Sequence, residues 1–430
     1  SLEEFIDLHG SVLGVPWVNT VASGPNQPAY YGDLTVVPHV TDEKTAECSS
    51  EPFHTVIQQV AAGLPVLDGS RSECDWGSDA DAPAEGVFGR GNLPSMQRED
   101  YVHNCNDSYW LTNPRDPITG FDRIIGDEDT ERTLRTRLCI LQAERRLDGS
   151  DEFGSEPLMT QDLLKDIALN SEIYSATLTQ QQVLGTLCMA PALVGTESPE
   201  PVQTGEACAA LEQWDGKTNL DSQGAHLWRE FWTRVNRGPA VAGMAAPVGP
   251  PELPNIPGSP LAAPTNTWTN AYSSDDPVNT PNGLNPANPF IAAAFADAIR
   301  AVQASGFAFD APLGDIQFSD VHNNELIPVF GGSSPAGAFT IARTGSLNAD
   351  GYRVDYGNSY IQAVTWVTGP DGSIKPKADA MLTYSNSTDP ASPFYDDYTK
   401  AYAAKDWLTL PFTKEEIEQQ KISQIVLTGN

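Results

Sequence analysis

Strand-type sequence lies at both ends of this 430-residue chain and helix-type sequence fills its middle, an order that implies one α+β body with a helical insertion. Near the start, Pro16-Trp-Val-Asn-Thr-Val-Ala22 and Ala29-Tyr-Tyr-Gly-Asp-Leu-Thr-Val-Val37 are rich in β-branched and aromatic residues. Gly24-Pro25-Asn26 separates them, so they read as a hairpin or as neighbouring strands. Toward the end, Asp315–Phe318, Ala338–Ala342, Tyr360–Val367 and Ala380–Tyr384 have the same character. Between these ends, apolar spacing predicts helices at about 127–147, 159–170, 178–189, 204–214, 224–236 and 288–305. The chain then divides into a sheet-forming part at 1–126, a helical insertion with a Pro-rich arm at 127–310, and closing strands and a helix at 311–430 that share sheets with the first part.

Several local signals sharpen this division. Ser1 with Glu4 has the spacing of a capping box ahead of Leu2, Phe5, Ile6 and Leu8, which predicts a helix over about 1–9. A serine at position 1 is also a conceivable N-terminal nucleophile, but a cap uses the same hydroxyl. Asp127-Glu-Asp-Thr130 opens the helix predicted to end near Leu147, with Arg145 and Arg146 in its last turn as the macrodipole favours. Leu134, Leu138 and Leu141 make its buried stripe, and Arg135 and Arg137 flank that stripe on opposite sides. His226, Trp228, Phe231 and Trp232 read as core rather than as a cofactor box. Residues 238–265 are rich in proline, glycine and alanine and almost free of charge, as an extended arm would be.

A net charge of −32, from 57 acidic and 25 basic residues, excludes sequence-independent nucleic-acid binding and disfavours anionic membrane surfaces. No run of about twenty apolar residues offers a membrane span. No leader-type sequence opens the chain, which is then cytosolic, already processed or a fragment. Six cysteines form no zinc-type spacing. Cys48 with Cys74, and Cys188 with Cys208, are close enough in sequence to staple loops in an oxidising compartment; small buried thiols are the alternative.

Tyr101-Val-His-Asn-Cys-Asn-Asp-Ser-Tyr-Trp-Leu-Thr-Asn113 has no helical or strand period and packs amides, an acid, a histidine and aromatics together. Its amides can donate to an anionic oxygen, or they can satisfy their own backbone in Asx-turns. Serine-hydrolase elbows, phosphate loops, zinc-protease helices and dinucleotide fingerprints are missing, and six scattered histidines make no metal cluster.

Longer stretches carry a resemblance. Leu2-Glu-Glu-Phe5, Pro16–Ala22, Asp68-Gly-Ser-Arg-Ser-Glu-Cys-Asp-Trp76, Arg98-Glu-Asp-Tyr-Val102, Asn104–Leu111, Ser385–Tyr398 and Lys405–Thr413 together resemble the β chain of the penicillin acylase family of N-terminal-nucleophile hydrolases. Within it the likeness is greatest to acylases of acyl-homoserine lactones, aculeacin-type lipopeptides and penicillins. The resemblance implies an αββα sandwich, export to the periplasm or medium, and autocatalytic cleavage of a precursor into α and β chains. It also implies that the α chain and the β segment with the nucleophilic serine are partners outside these residues. On the matching motif, Asn106 falls at the oxyanion-hole asparagine, Arg135 at the arginine that braces it, with Arg137 as runner-up, and Trp17 at a wall of the acyl pocket. The expected reaction is hydrolysis of the amide between an apolar acyl chain and an amine head group, without cofactor or catalytic metal. Asp116 and Asp122 are conceivable ligands of a structural calcium. Cys105 and the 238–265 arm depart from the family pattern, and a non-catalytic secreted binding protein on the same scaffold is the competing reading.

Overall fold

The computed structural model describes residues 1–58, 61, 63–156, 158–237, 267–322 and 325–429. The Pro-rich arm expected at 238–265 lies outside the described residues.

The chain opens with α1 (Leu2–Val12), capped as its sequence predicts: the Ser1 hydroxyl accepts from the Glu4 amide at 3.2 Å, and the Ser1 amine donates to the Glu4 carboxylate at 2.9 Å. The expected hairpin follows as β1 (Thr20–Ala22) and β2 (Ala29–Gly32). After α2 (Asp42–Cys48) and α3 (Phe53–Gln58), β3 (Ser95–Arg98) returns beside β2 and completes an antiparallel sheet in the order β1-β2-β3. The Cys48–Cys74 disulfide pins the excursion between α3 and β3.

The middle is helical because its apolar residues recur at helical spacing. It contains α4 (Leu134–Asp148), α5 (Gln161–Ala168), α6 (Tyr174–Thr186), a short ribbon of β4 (Ala192–Leu193) and β5 (Val202–Gln203), α7 (Gly205–Gln213) and α8 (Ala225–Arg237). A second ribbon, β6 (Trp268–Asn270) with β7 (Asn282–Leu284), precedes α9 (Pro289–Ser305). Trp228, Phe231, Trp232 and Val235 on α8 lie against Ile291, Phe295, Ile299 and Val302 of α9 in one buried cluster. His226 is buried there too, its Nε2 donating to Ala308 O at 3.0 Å, so this helix is core as its sequence suggests. Cys188 and Cys208 are disulfide-bonded beside the same cluster.

The C-terminal part forms two further sheets. In one, β10 (Tyr352–Gly357) lies between β8 (Gln317–Ser319) and β9 (Ala342–Thr344). In the other, β11 (Tyr360–Thr368) and β12 (Ile374–Leu382) pair along their whole length, with β13 (Leu408–Leu410) after α10 (Asp397–Ala403); α11 (Lys414–Gln420) follows. Two expectations change here. Among the described residues, strands from the two ends of the chain pair only with their own neighbours and share no sheet. Side chains from the helical middle bridge them instead, as where Gln161 donates to Ala363 O at 3.0 Å and Arg135 to Ser334 at 3.1 Å.

The second change concerns α4, which begins at Leu134 under a Thr133 cap and not at Asp127. The acids that look like a first helical turn are spent elsewhere: the Asp127 carboxylate pairs with Arg123, and Glu128 serves the neighbouring loop. Glu128 accepts from the Tyr109 hydroxyl at 2.7 Å and from the amides of Gly120 and Phe121 at 3.0 Å, while Asp127 O accepts from Ser108 at 2.6 Å. A carboxylate satisfied by three donors has nothing left for the helix dipole.

Candidate active site

The asparagine-rich stretch separates its duties residue by residue. Asn104 serves the backbone: its Oδ1 accepts from the Asn106 amide at 2.9 Å, and its Nδ2 donates to Asp107 O at 3.2 Å. Asn106 does not. It sits at φ 62, in the left-handed region that asparagine tolerates better than most residues, and its side chain is exposed. Among the described residues its Nδ2 has no hydrogen-bond partner, whereas its Oδ1 takes a long bond of 3.5 Å from Arg135 Nη2. An amide whose oxygen faces a guanidinium points its N–H groups elsewhere, so Arg135 fixes which end of Asn106 is free to donate.

The residues on either side of Asn106 are fastened to α4 or its leading turn. Cys105, 5 % exposed, is disulfide-bonded to Cys139. Asp107 accepts from Arg132 Nη1 at 2.5 Å, from the Thr136 hydroxyl at 2.8 Å and from the Ser108 amide at 2.9 Å. Arg132 is itself buried, stacked 5.0 Å from the Trp110 ring centroid and bonded to Asp127 O and Thr130. Arg135 stands between these fasteners, its Nε donating to Ser334. Sequence reasoning singles out Asn106 and Arg135 and the structure brings them together; it misses Asp107, Arg132, Thr136, Cys139 and Ser334. Only Cys139 left a usable signal, lying four residues after Arg135 and so on the same helix face.

Arg137, the alternative to Arg135, turns the other way. It is wholly buried, with Nε donating to Val278 O at 2.6 Å and Nη1 to Pro281 O at 2.9 Å. Its role is to satisfy carbonyls of the segment before β7. Trp17 lies on the connection between α1 and β1, 88 % exposed and with φ 40. Two residues on, Asn19 accepts from the Tyr31 hydroxyl, and Tyr31 in turn adjoins Asn104 and Thr112. A cleft of about 410 Å³ lined by Tyr174, Gln182 and Asn282, and one of about 620 Å³ beside Cys188 and Phe309, are present; Asn106, Arg135 and Trp17 line neither.

The surrounding charges are paired. Asp100 is held well below the usual carboxylate range by Arg98 at 2.9 Å, and Arg115 meets Glu144 at 2.6 Å. Burial pushes the His103 imidazole down to about 4, and its Nδ1 lies 3.8 Å from Cys139 Sγ. His103, Cys105 and Cys139 bring three ligand-type atoms within 4.8 Å, with the two sulfurs joined to each other. Asp116 is committed to Arg98 at 3.1 Å, and Asp122 accepts from the Asp42 amide at 2.8 Å, so the two acids raised as calcium ligands serve different partners.

This α+β arrangement has the fold of the N-terminal-nucleophile hydrolases: it superposes on a thermostable penicillin G acylase from Alcaligenes faecalis with a TM-score of 0.50, at 14% identity, over 100% of this chain and 70% of that one. The sequence profile of the penicillin amidase family matches residues 1–419, and the chain belongs to that family. An aculeacin-A acylase of Actinoplanes utahensis is 34% identical over 419 residues, which is 97% of this chain and 48% of the relative. An acyl-homoserine lactone acylase PvdQ of Pseudomonas syringae pv. syringae is 31% identical over 424 residues, again 97% of this chain and 48% of the relative. The chain therefore spans about half the length of the curated relatives it matches.

Proposed function

We propose that this chain is about half of an acylase that hydrolyses the amide between an apolar acyl chain and an amine head group. The observation that carries the reading is the Arg135–Asn106 contact, which leaves the Asn106 amide nitrogen free at an exposed, rigidly based position. A serine hydroxyl at the head of another segment of the same precursor attacks the carbonyl carbon, its α-amine taking the proton. Charge gathers on the carbonyl oxygen, where Asn106 Nδ2 donates to it. The amine leaves with that proton, and water releases the acid from the acyl-enzyme by the same steps. No group in this scheme requires a cofactor.

Trp17 forms one wall of the acyl pocket, and the remainder of the precursor supplies the rest of the cleft. The relatives' names support acyl-homoserine lactones, lipopeptides and penicillins as substrates. Three disulfides among the described residues support an oxidising location, periplasmic or extracellular. The test is hydrolysis of N-acyl substrates of graded chain length by the complete two-chain protein and by its Asn106→Ala variant. The variant should lose on the order of 10²–10³-fold in kcat, the usual cost of one oxyanion donor. Equal rates remove Asn106 from the mechanism. Tight binding of acylated amines without turnover by either protein favours a binding role.

A further inference from the structure

Asn106 keeps its side-chain nitrogen unpartnered among the described residues, yet both its neighbours are anchored. Asp107 is held by hydrogen bonds to Arg132 and Thr136. Cys105 is held covalently, and its partner Cys139 lies one helical turn beyond Arg135 on the same face of α4. The helix that carries the arginine aimed at Asn106 is thus tied to the residue immediately before Asn106. We propose that the Cys105–Cys139 disulfide is a positioning device for the oxyanion asparagine, and that opening it lowers turnover without unfolding the protein. The inference rests on the reading of Asn106 given under the proposed function.

The disulfide sets the register between α4 and the turn that carries Asn106. Arg135 reaches Asn106 at 3.5 Å, a distance at which a displacement of under an ångström breaks the bond. Asn106 is also held at a positive φ, so the turn has an incentive to relax into ordinary backbone geometry if released. The disulfide opposes that relaxation at the residue where it would begin. The other two disulfides have no such connection: Cys48–Cys74 closes the loop before β3, and Cys188–Cys208 joins the end of α6 to α7. Opening the bond needs two electrons and two protons, which a dithiol reductant supplies while closing to its own cyclic disulfide; Cys105 and Cys139 are left as thiols beside the His103 ring, 3.8 Å from Cys139 Sγ.

The experiment compares three forms of the complete two-chain enzyme with the parent: Asn106→Ala, the pair Cys105→Ser with Cys139→Ser, and the pair Cys48→Ser with Cys74→Ser. Far-ultraviolet circular dichroism checks folding, and the parent is also treated with dithiothreitol, with mass spectrometry identifying which cysteines are open. The Cys105/Cys139 pair should lose on the order of 10²-fold in kcat with KM little changed, as ångström-scale misplacement of a catalytic group does. The Cys48/Cys74 pair should lose thermal stability and keep kcat. Reduction of Cys105–Cys139 in the folded parent should lower kcat to the level of its serine pair, and reoxidation should restore it. If Asn106→Ala is slow but a folded, open Cys105–Cys139 form turns over at the parent rate, the positioning role is wrong and the oxyanion role stands. If both cysteine pairs lose kcat alike, the effect is general destabilisation and the proposal is again wrong. If Asn106→Ala keeps its rate, the functional reading fails first.

Discussion

At the scale of single residues, neighbouring side chains of one type divide between the proposed site and structural support by which way each faces. Asn104 and Asn106 are two positions apart, and sequence alone left both an Asx-turn and an anion donor open. The structure separates the two residues: Asn104 makes the turn, and Asn106 keeps its amide nitrogen unpartnered among the described residues. Arg135 and Arg137 show the same division, and only three-dimensional burial separates them. Replacing Arg137 with alanine should orphan the Val278 and Pro281 carbonyls at about 1–3 kcal/mol each, lowering the melting temperature, while folded molecules keep their kcat. A collapse of kcat in folded Arg137→Ala protein would show that the wrong arginine carries the role.

At the scale of elements, α4 is the organising piece. Its leucine stripe and arginine-rich end were legible because apolar periodicity and macrodipole preference are local. Its start was not, because Glu128 gains more from the Ser108–Phe121 loop, and the Asp127 carboxylate more from Arg123, than from a helix terminus, and those partners are written elsewhere in the sequence. For the same reason Cys105 with Cys139 escaped notice. Their separation of 34 resembles that of the other pairs, but the link runs between a loop and a helix whose approach is tertiary. The Cys48–Cys74 closure, over a separation of 26, should contribute about 3–4 kcal/mol by chain-entropy reasoning. Chemical denaturation of the Cys48→Ser, Cys74→Ser protein measures it, and an unchanged midpoint contradicts it.

At the scale of the whole molecule, the α+β class, α1 and the helices from α4 to α9 were legible, while α2, α3 and the grouping of strands into separate sheets were not, since strand character says nothing of partner. Several apolar side chains remain open to solvent, among them Leu8 at 65%, Trp17 at 88% and Leu427 at 90%. With the chain spanning about half of its relatives, the rest of the precursor is the proposed cover for them, and binding of a hydrophobic dye should fall when the complete protein assembles.

Acidification acts on the folded state through buried histidines. Burial takes His103 and His226 from an ordinary value of 6.5 down to about 4. Between those limits the unfolded chain binds the extra protons, so their contribution is full above pH 6.5 and is lost as pH falls toward 4. Asp33, raised by burial to about 6, acts in the opposite sense, as do Asp122 and Glu131, whose carboxyls burial also raises. Melting temperature should therefore fall from pH 6.5 to pH 4, less steeply in His226→Gln and more steeply in Asp33→Asn. Parallel curves for all three proteins would contradict the assignment.

In the proposed mechanism Arg135 acts through Asn106, and a double-mutant cycle on kcat/KM of the complete enzyme measures that coupling. Asn106→Ala and Arg135→Ala should each slow the reaction, and the double variant should be little slower than Asn106→Ala alone, because the arginine's contribution passes through the amide it orients. Losses that simply multiply would contradict the account and give Arg135 a task independent of Asn106.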